Sequence, residues 1–146
     1  MYQLAQLNVA TALDDMDSDR LKAFVEGLDA VNAIAELSEG FIWRLKDDSG
    51  NATDIQVSDN PRFIVNMSVW ESADHLKNFM FKTLHVDFLK RKKEWFENPS
   101  EANYVLWWIP KGHIPTLDEA FERLAMLREN GDSVSAFSFR KIFQPE

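Results

Sequence analysis

The chain has 146 residues, of which 45% are hydrophobic and 12% aromatic, with no cysteine and a formal net charge of -8. This composition is far from that of a disordered chain, and the length suits one domain over residues 1–146 with its own apolar core. The lack of cysteine excludes disulfides and thiolate metal sites, and the acidic balance disfavours a nucleic-acid partner. No segment of the sequence resembles a signal peptide or a membrane span, so we expect a cytoplasmic protein that does not contact membranes.

The first half of the chain predicts a strand, a helix and two more strands. The stretch YQLAQLNVA alternates with a period of two, which is typical of a strand. A helix capped by Asp17 or Ser18 follows, with apolar residues at helical spacing until Gly40 ends it. FIWRLK from Phe41 and RFIVNMSVW ending at Trp70 predict the second and third strands. The polar stretch DDSGNATDIQVSDNP between them predicts a long hairpin connection.

The second half predicts three helices around a fourth strand. Ser72 is placed to cap one helix, and Thr83 to begin another. NYVLWWIP predicts the fourth strand, and TLDEAFERLAML predicts a last helix. In that helix Thr116 and Glu119 have capping-box spacing, and Gly131 is placed to end it. SAFSFRKIF is compatible with a short terminal strand.

The order of elements through residue 109 is βαββαβ, which predicts an α+β fold of the ferredoxin-like type. Such a unit places its helices on one face of an antiparallel sheet, so the other face needs a separate cover. The fourth strand is apolar on both sides, with Leu106 and Trp108 opposite Val105, Trp107 and Ile109. We therefore expect either a second subunit or the extra C-terminal helix to cover the far face.

The second and third strands each predict one row that is less apolar than the other. In the third strand, Asn66 and Ser68 share a row with Trp70, a mixture that suits neither bulk water nor a dry interior. In the second strand, strict alternation places Arg44 opposite Phe41, Trp43 and Leu45.

Several stretches together resemble an uncharacterised bacterial family of the dimeric α+β barrel superfamily, related to the antibiotic biosynthesis monooxygenases. They are LAQLNVA, GFIWRLKDDSGNATDI, VNMSVWES, HVDFLKRKKEWF, LWWIPKGHIPTLDEAFERL and AFSFR, which span nearly the whole chain. The resemblance implies a homodimer in which two sheets pack around enclosed cavities. A shorter feature is similar in the monooxygenases, namely a strand ending in Trp-Glu-Ser and a histidine after the next helix.

The helix predicted from Thr83 carries polar residues inside its apolar stripe. His85 and Lys92 lie within the same arc as Trp95, and Arg91 lies at its edge. Burial of an unpaired charge is costly, so a partly polar cavity beside the helix would explain the pattern. The alternative is that His85 donates to a backbone carbonyl and Lys92 extends to solvent.

Candidate ligand contacts come from aromatic and polar side chains. Trp43, Trp70, Trp95 and Trp108 are candidates to stack a planar ligand; any single one is more often part of a core or an interface, whereas the set together favours a cavity wall. Arg91 and Lys92 are candidates to line the same site. Asn66 and Arg44, on the less apolar rows, are candidates to orient a ligand oxygen, with a cross-strand hydrogen bond or a surface ion pair as the alternative.

These features leave two classes of function open. One is a monooxygenase-like enzyme that oxidises a small aromatic or polyketide-like substrate, with His85 as base and Asn66 or Arg44 stabilising an oxyanion. The other is a dimer that binds or senses a small ligand without chemistry.

The three histidines are never three or four residues apart, so no helical pair of metal ligands is predicted. We expect no metal and no cofactor.

Overall fold

The computed structural model describes residues 1–46, 60, 62–82 and 85–145, without the side chains of residues 82–89. Its strands are β1 (Tyr2–Thr11), β2 (Phe41–Arg44), β3 (Phe63–Trp70) and β4 (Tyr104–Pro110), in the antiparallel order β2, β3, β1, β4. Its helices are α1 (Lys22–Leu37), α2 (Ala73–Lys82), α3 (His85–Trp95) and α4 (Leu117–Asn130). This confirms the predicted α+β fold with ferredoxin-like order and an extra C-terminal helix. The connection predicted between β2 and β3 lies largely outside the described residues.

The first helix begins about one turn later than predicted. The sequence predicts a cap at Asp17 or Ser18, but Leu21 occupies the N-cap and no side chain caps the helix. Ser18 instead belongs to a preceding turn, in which its backbone N–H donates to the carbonyl of Asp15 at 3.0 Å. Because Leu21 is fully buried, its packing fixes the point at which the chain enters α1.

An irregularity in β2 changes which side chains share a face. Phe41 pairs with the last residue of β3, whereas Trp43 pairs with the residue before it and Arg44 pairs with Ser68. The extra residue is a β-bulge, which shifts the alternation by one position. Phe41 and Arg44 therefore lie on the same face of the sheet, and the predicted strict alternation is wrong at Phe41.

Both faces of the sheet are covered within the chain. On the first, which we call the cavity face, α1 and α2 pack against Leu4, Trp70 and Leu106. On the second, which we call the α4 face, Ala120, Leu124 and Leu127 of α4 pack against the opposite rows of the strands. The buried strand residues of that face are Ala5, Leu7, Val9, Val65, Met67, Val69, Val105, Trp107 and Ile109. Of the two predicted covers for the far face, the C-terminal helix is the one that this chain supplies.

The start of α4 is tied to β4 by a carboxylate. Thr116 Oγ1 accepts from the backbone N–H of Glu119 at 3.1 Å, as predicted for an N-cap. The Glu119 carboxylate accepts from Trp107 Nε1 at 2.8 Å and contacts His113 Nε2 at 2.7 Å. Burial raises the pKa of Glu119, but these hydrogen bonds and the charges of His113 and Arg123 outweigh burial, so the pKa lies below its usual value. The contact therefore stabilises the fold above about pH 4.3 and is lost as the pH falls through the lowered pKa.

After α4 the chain returns to the cavity face. Phe137 exchanges two backbone hydrogen bonds with Leu106, at 2.8 and 2.9 Å, and is fully buried. This is an isolated bridge, so the predicted terminal strand is reduced to one position that pairs with the sheet. Two residues later, the backbone N–H of Phe139 donates to the hydroxyl of Tyr104 at 3.0 Å. These contacts hold the C-terminal segment beside the cavity described below.

Among the described residues, no helix is long and apolar enough to cross a membrane. The cytoplasmic location and the division into one domain stay predictions.

Candidate functional site

A cavity of about 800 Å³ lies between the cavity face and the helices. Strands β1, β2 and β3 form its floor, while α1 and α2 supply much of the apolar wall. The wall side chains include Phe24, Leu28 and Val31 of α1, Leu76 and Met80 of α2, Trp95 of α3, and Phe139 of the C-terminal segment. A smaller recess of about 50 Å³ shares part of this lining and is bounded by Phe41, Ser68, Trp70 and Phe79. Cavities of this size hold small organic molecules.

Five polar side chains interrupt the apolar floor, and we call them the polar strip. They are Gln6, Asn8, Arg44, Asn66 and Ser68, and all five line the recess. The register of the sheet brings them together, because Gln6 and Arg44 both pair with Ser68, and Asn8 pairs with Asn66. The strip therefore crosses three adjacent strands.

Hydrogen bonds within the strip orient the amide of Asn66. Gln6 Nε2 donates to Asn66 Oδ1 at 2.7 Å and to Ser68 Oγ at 2.8 Å, and Trp70 Nε1 also donates to Ser68 Oγ at 2.8 Å. Gln6 and Ser68 are buried, whereas Asn66 is exposed to the cavity. Since Asn66 Oδ1 is occupied as an acceptor, its Nδ2 remains as a donor. The strip thus presents a positioned N–H donor to any oxygen atom of a ligand.

Arg44 is the charged member of the strip. Its side chain is only 11% exposed, and its nearest anion is Glu36 Oε2, 3.7 Å from Nε. Nε is buried and makes no hydrogen bond with any described residue. Pairing of Arg44 with Ser68 places this guanidinium on the cavity face of the sheet.

Two tryptophans bound the site, Trp70 at the recess and Trp95 at the main cavity. Trp70 is 1% exposed and stacks on Phe79 with ring centroids 5.2 Å apart, closing the recess. Trp95 is 2% exposed and packs against Phe24, 5.4 Å between centroids, at the wall of the main cavity. Both rings are almost fully covered by neighbouring side chains, so they bound the site and leave little area for a ligand to stack on.

The profile of the family described as Domain of unknown function (DUF3291) matches residues 3–146. The chain belongs to the DUF3291 family. No protein among the curated sequences matches it.

Solved structures resemble the DUF3291 chain in fold. SnoaB, a cofactor-independent oxygenase from Streptomyces nogalater, has a TM-score of 0.51 and 13% identity, over 80% of this chain and 100% of that one. PA3566 from Pseudomonas aeruginosa has a TM-score of 0.50 and 13% identity, over 77% of this chain and 97% of that one. A candidate antibiotic biosynthesis monooxygenase from Nitrosomonas europaea has a TM-score of 0.48 and 11% identity, over 77% and 90%. The family match shows a family of uncharacterised function, and the likeness to SnoaB and PA3566 shows the predicted α+β fold.

The structure brings together Arg44, Asn66, Trp70, Trp95 and Lys92 among the residues predicted for the site. The first two lie in the strip, and Lys92 is exposed where α3 borders the cavity. His85 is the first residue of α3, and its side chain lies outside the described residues.

Three other predicted residues of the DUF3291 chain lie elsewhere. Trp43 packs on the α4 face, so the sheet separates it from the cavity. Trp108 is covered by the C-terminal segment, where its Nε1 donates to the carbonyl of Phe143 at 2.7 Å. Arg91 is exposed, pairs with Glu94 through Nε at 2.9 Å, and lies over the outer side of Trp95. Among the described cavity residues, none of these three is present.

The sequence predictions did not include Gln6, Asn8 and Ser68 as site residues. The pattern that could have revealed Gln6 and Asn8 is in β1, where these two polar residues fall at alternate positions among Leu4, Ala5, Leu7 and Val9. A polar row on a central strand is costly unless its groups are paired or face a cavity. The described residues contain no cluster of three or more potential metal ligands.

Proposed function

We propose that the protein is a cofactor-independent, monooxygenase-like enzyme that acts on a small aromatic or polyketide-like substrate in this cavity. The observation that carries the proposal is the oriented donor of Asn66, held by Gln6 in a largely apolar cavity of about 800 Å³. An aromatic substrate would lie against the apolar wall with one oxygen directed at the strip. The oxygenase activity named for SnoaB is consistent with this proposal.

The proposed chemistry divides between a base and the strip. Removal of a proton from an electron-rich aromatic substrate places negative charge on its oxygen, and donors aimed at that oxygen stabilise the charge. Asn66 Nδ2 and the Arg44 guanidinium are the proposed donors. The strip itself offers no group that accepts a proton at neutral pH, so the base must lie elsewhere. We assign this role to His85, at the start of α3.

Oxygen uptake tests the enzyme proposal directly. We expect the purified protein to consume oxygen with electron-rich phenols or polyketide-like aromatics, and Asn66→Ala to reduce turnover about 100-fold through loss of one oxyanion donor. His85→Ala should abolish turnover with little change in the denaturation midpoint. Asn78→Ala is the matched control, since Asn78 is exposed on α2 and outside the cavity lining. Equal turnover by Asn66→Ala and Asn78→Ala would contradict the assignment.

A binding or sensing role is the second candidate, and the lack of a proton acceptor in the strip favours it. In that case aromatic ligands should bind to the wild-type protein and lose affinity in Asn66→Ala, while no oxygen is consumed with any of them.

We also propose that the protein forms a homodimer. Strand β2 lies at the edge of the sheet, and Ile42 on it is 40% exposed. Exposed edges with apolar side chains favour pairing with another chain. Light scattering at micromolar concentration should give twice the mass of one chain, and a monomeric mass would refute the dimer.

A further inference from the structure

The starting observation is the poor pairing of Arg44. Its side chain is only 11% exposed. Glu36 Oε2 lies 3.7 Å from Nε, which is too long for a hydrogen bond. The Nε atom of Arg44 is buried and receives no hydrogen-bond acceptor from any described residue. A buried cation of this kind is costly unless an anion or acceptor completes its surroundings. The Arg44 side chain also lines both the main cavity and the recess.

The charges around the cavity have the opposite sign to the charge of the chain. The chain carries a formal net charge of -8. Among the described residues that line the cavity, basic side chains outnumber acidic ones. The basic ones are Arg44, Lys92, Lys93 and Arg128, and the acidic ones are Glu97 and Glu101. An excess of positive charge in a cleft raises the local concentration of negatively charged ligands.

We infer that the natural ligand carries a permanent negative charge, and that Arg44 binds it as an aromatic carboxylate. This inference rests on the proposed function, because it names the class of molecule that occupies the same cavity. A purely catalytic role for Arg44 is a different hypothesis. If the ligand gained its negative charge only during the reaction, Arg44 would have no anionic partner in the complex before the reaction.

A carboxylate fits the recess better than a phosphate. The planar fork of a guanidinium matches the two oxygens of a carboxylate. The recess of about 50 Å³ supplies one guanidinium, with neutral amides and a hydroxyl around it. Glu36, close to Arg44, would repel a second negative charge. The carboxylate therefore lies at the strip, and the aromatic ring extends into the main cavity toward Trp95.

Calorimetric titration with 2-naphthoate and 2-naphthamide tests the inference, because the two probes share their shape and differ in charge. The wild-type protein should bind naphthoate at least about tenfold more tightly than naphthamide, as expected for a hydrogen bond between charged groups. Arg44→Gln should weaken naphthoate binding about 10- to 100-fold and leave naphthamide binding within about threefold. Lys90→Gln is the charge-matched control, since Lys90 is exposed and outside the cavity lining.

Three results would overturn the inference. They are equal affinity for the two probes, no naphthoate binding up to about 5 mM, and equal weakening of naphthoate binding by Arg44→Gln and Lys90→Gln. Should Arg44→Gln not fold, Arg44→Lys keeps the charge without the planar fork and should still weaken naphthoate binding about tenfold. Failure of the oxygen-uptake assay would refute the enzyme proposal and leave the preference for naphthoate intact.

Discussion

Gly40→Ala should lower the free energy of unfolding by about 3 to 4 kcal/mol, measured by chemical denaturation. Gly40 has φ +84°, a conformation in which a Cβ atom costs about 1 to 2 kcal/mol. The new Cβ would also lie 2.5 Å from His75 Cβ and 2.6 Å from His75 Cδ2, and closer still to Cγ. These atoms cannot move aside easily, because the His75 ring is held by a 2.7 Å contact between Nδ1 and Ser72 Oγ.

Gly112→Ala is the matched control for this prediction. Gly112 has φ +90°, but a Cβ there would meet no atom within 4 Å. The control variant should therefore lose only the conformational part, about 1 to 2 kcal/mol. The difference between the two variants measures the contact of Gly40 with His75, and equal losses would show that this contact is not tight.

Much of the architecture could be predicted because local patterns and the global fold agree. The strands β1 and β3 predicted from their alternating sequences, the capping hydroxyl of Ser72 and the Thr116 cap all appear in the structure. Each of these signals depends on residues close together in sequence, and packing reinforces rather than overrides them.

Features that depend on tertiary packing could not be predicted in the same way. The late start of α1 depends on burial of Leu21, and no periodicity reveals which of several turn residues becomes the cap. The bulge in β2 changes the face of Phe41, and a four-residue strand gives too few positions to detect the shift. The different environments of Trp43, Trp70 and Trp108 also depend on which face of the sheet each occupies.

Only part of the candidate site could be predicted, because some of its residues have a local pattern and others depend on tertiary packing. Asn66 and Arg44 could be selected because each interrupts an apolar strand, and Trp70 because it shares the row of Asn66. The role of Gln6 depends on its pairing with Ser68 across 62 positions of sequence, which requires the strand register. A polar residue that orients another residue carries no local signature of that role.

Leu124→Ala tests whether α4 covers the far face of the sheet. Leu124 is 2% exposed and belongs to the same cluster as Met67, Val105 and Trp107. Removal of its side chain should leave a cavity in that core and lower the free energy of unfolding by about 3 kcal/mol. Chemical denaturation of the full chain measures the change.

Leu37→Ala provides the matched control, because it makes the same chemical change at a position that is 88% exposed. That variant should lie within about 0.5 kcal/mol of the wild type.

If Leu124→Ala cost no more than Leu37→Ala, the α4 face would have to be covered by something other than α4. A partner subunit would then be the cover, and the stability of the wild-type protein should rise with protein concentration, since association stabilises only the folded chain. A loss of about 3 kcal/mol that does not change with concentration would instead establish α4 as the cover of that face, and would confine any dimer contact to surfaces such as the edge of β2.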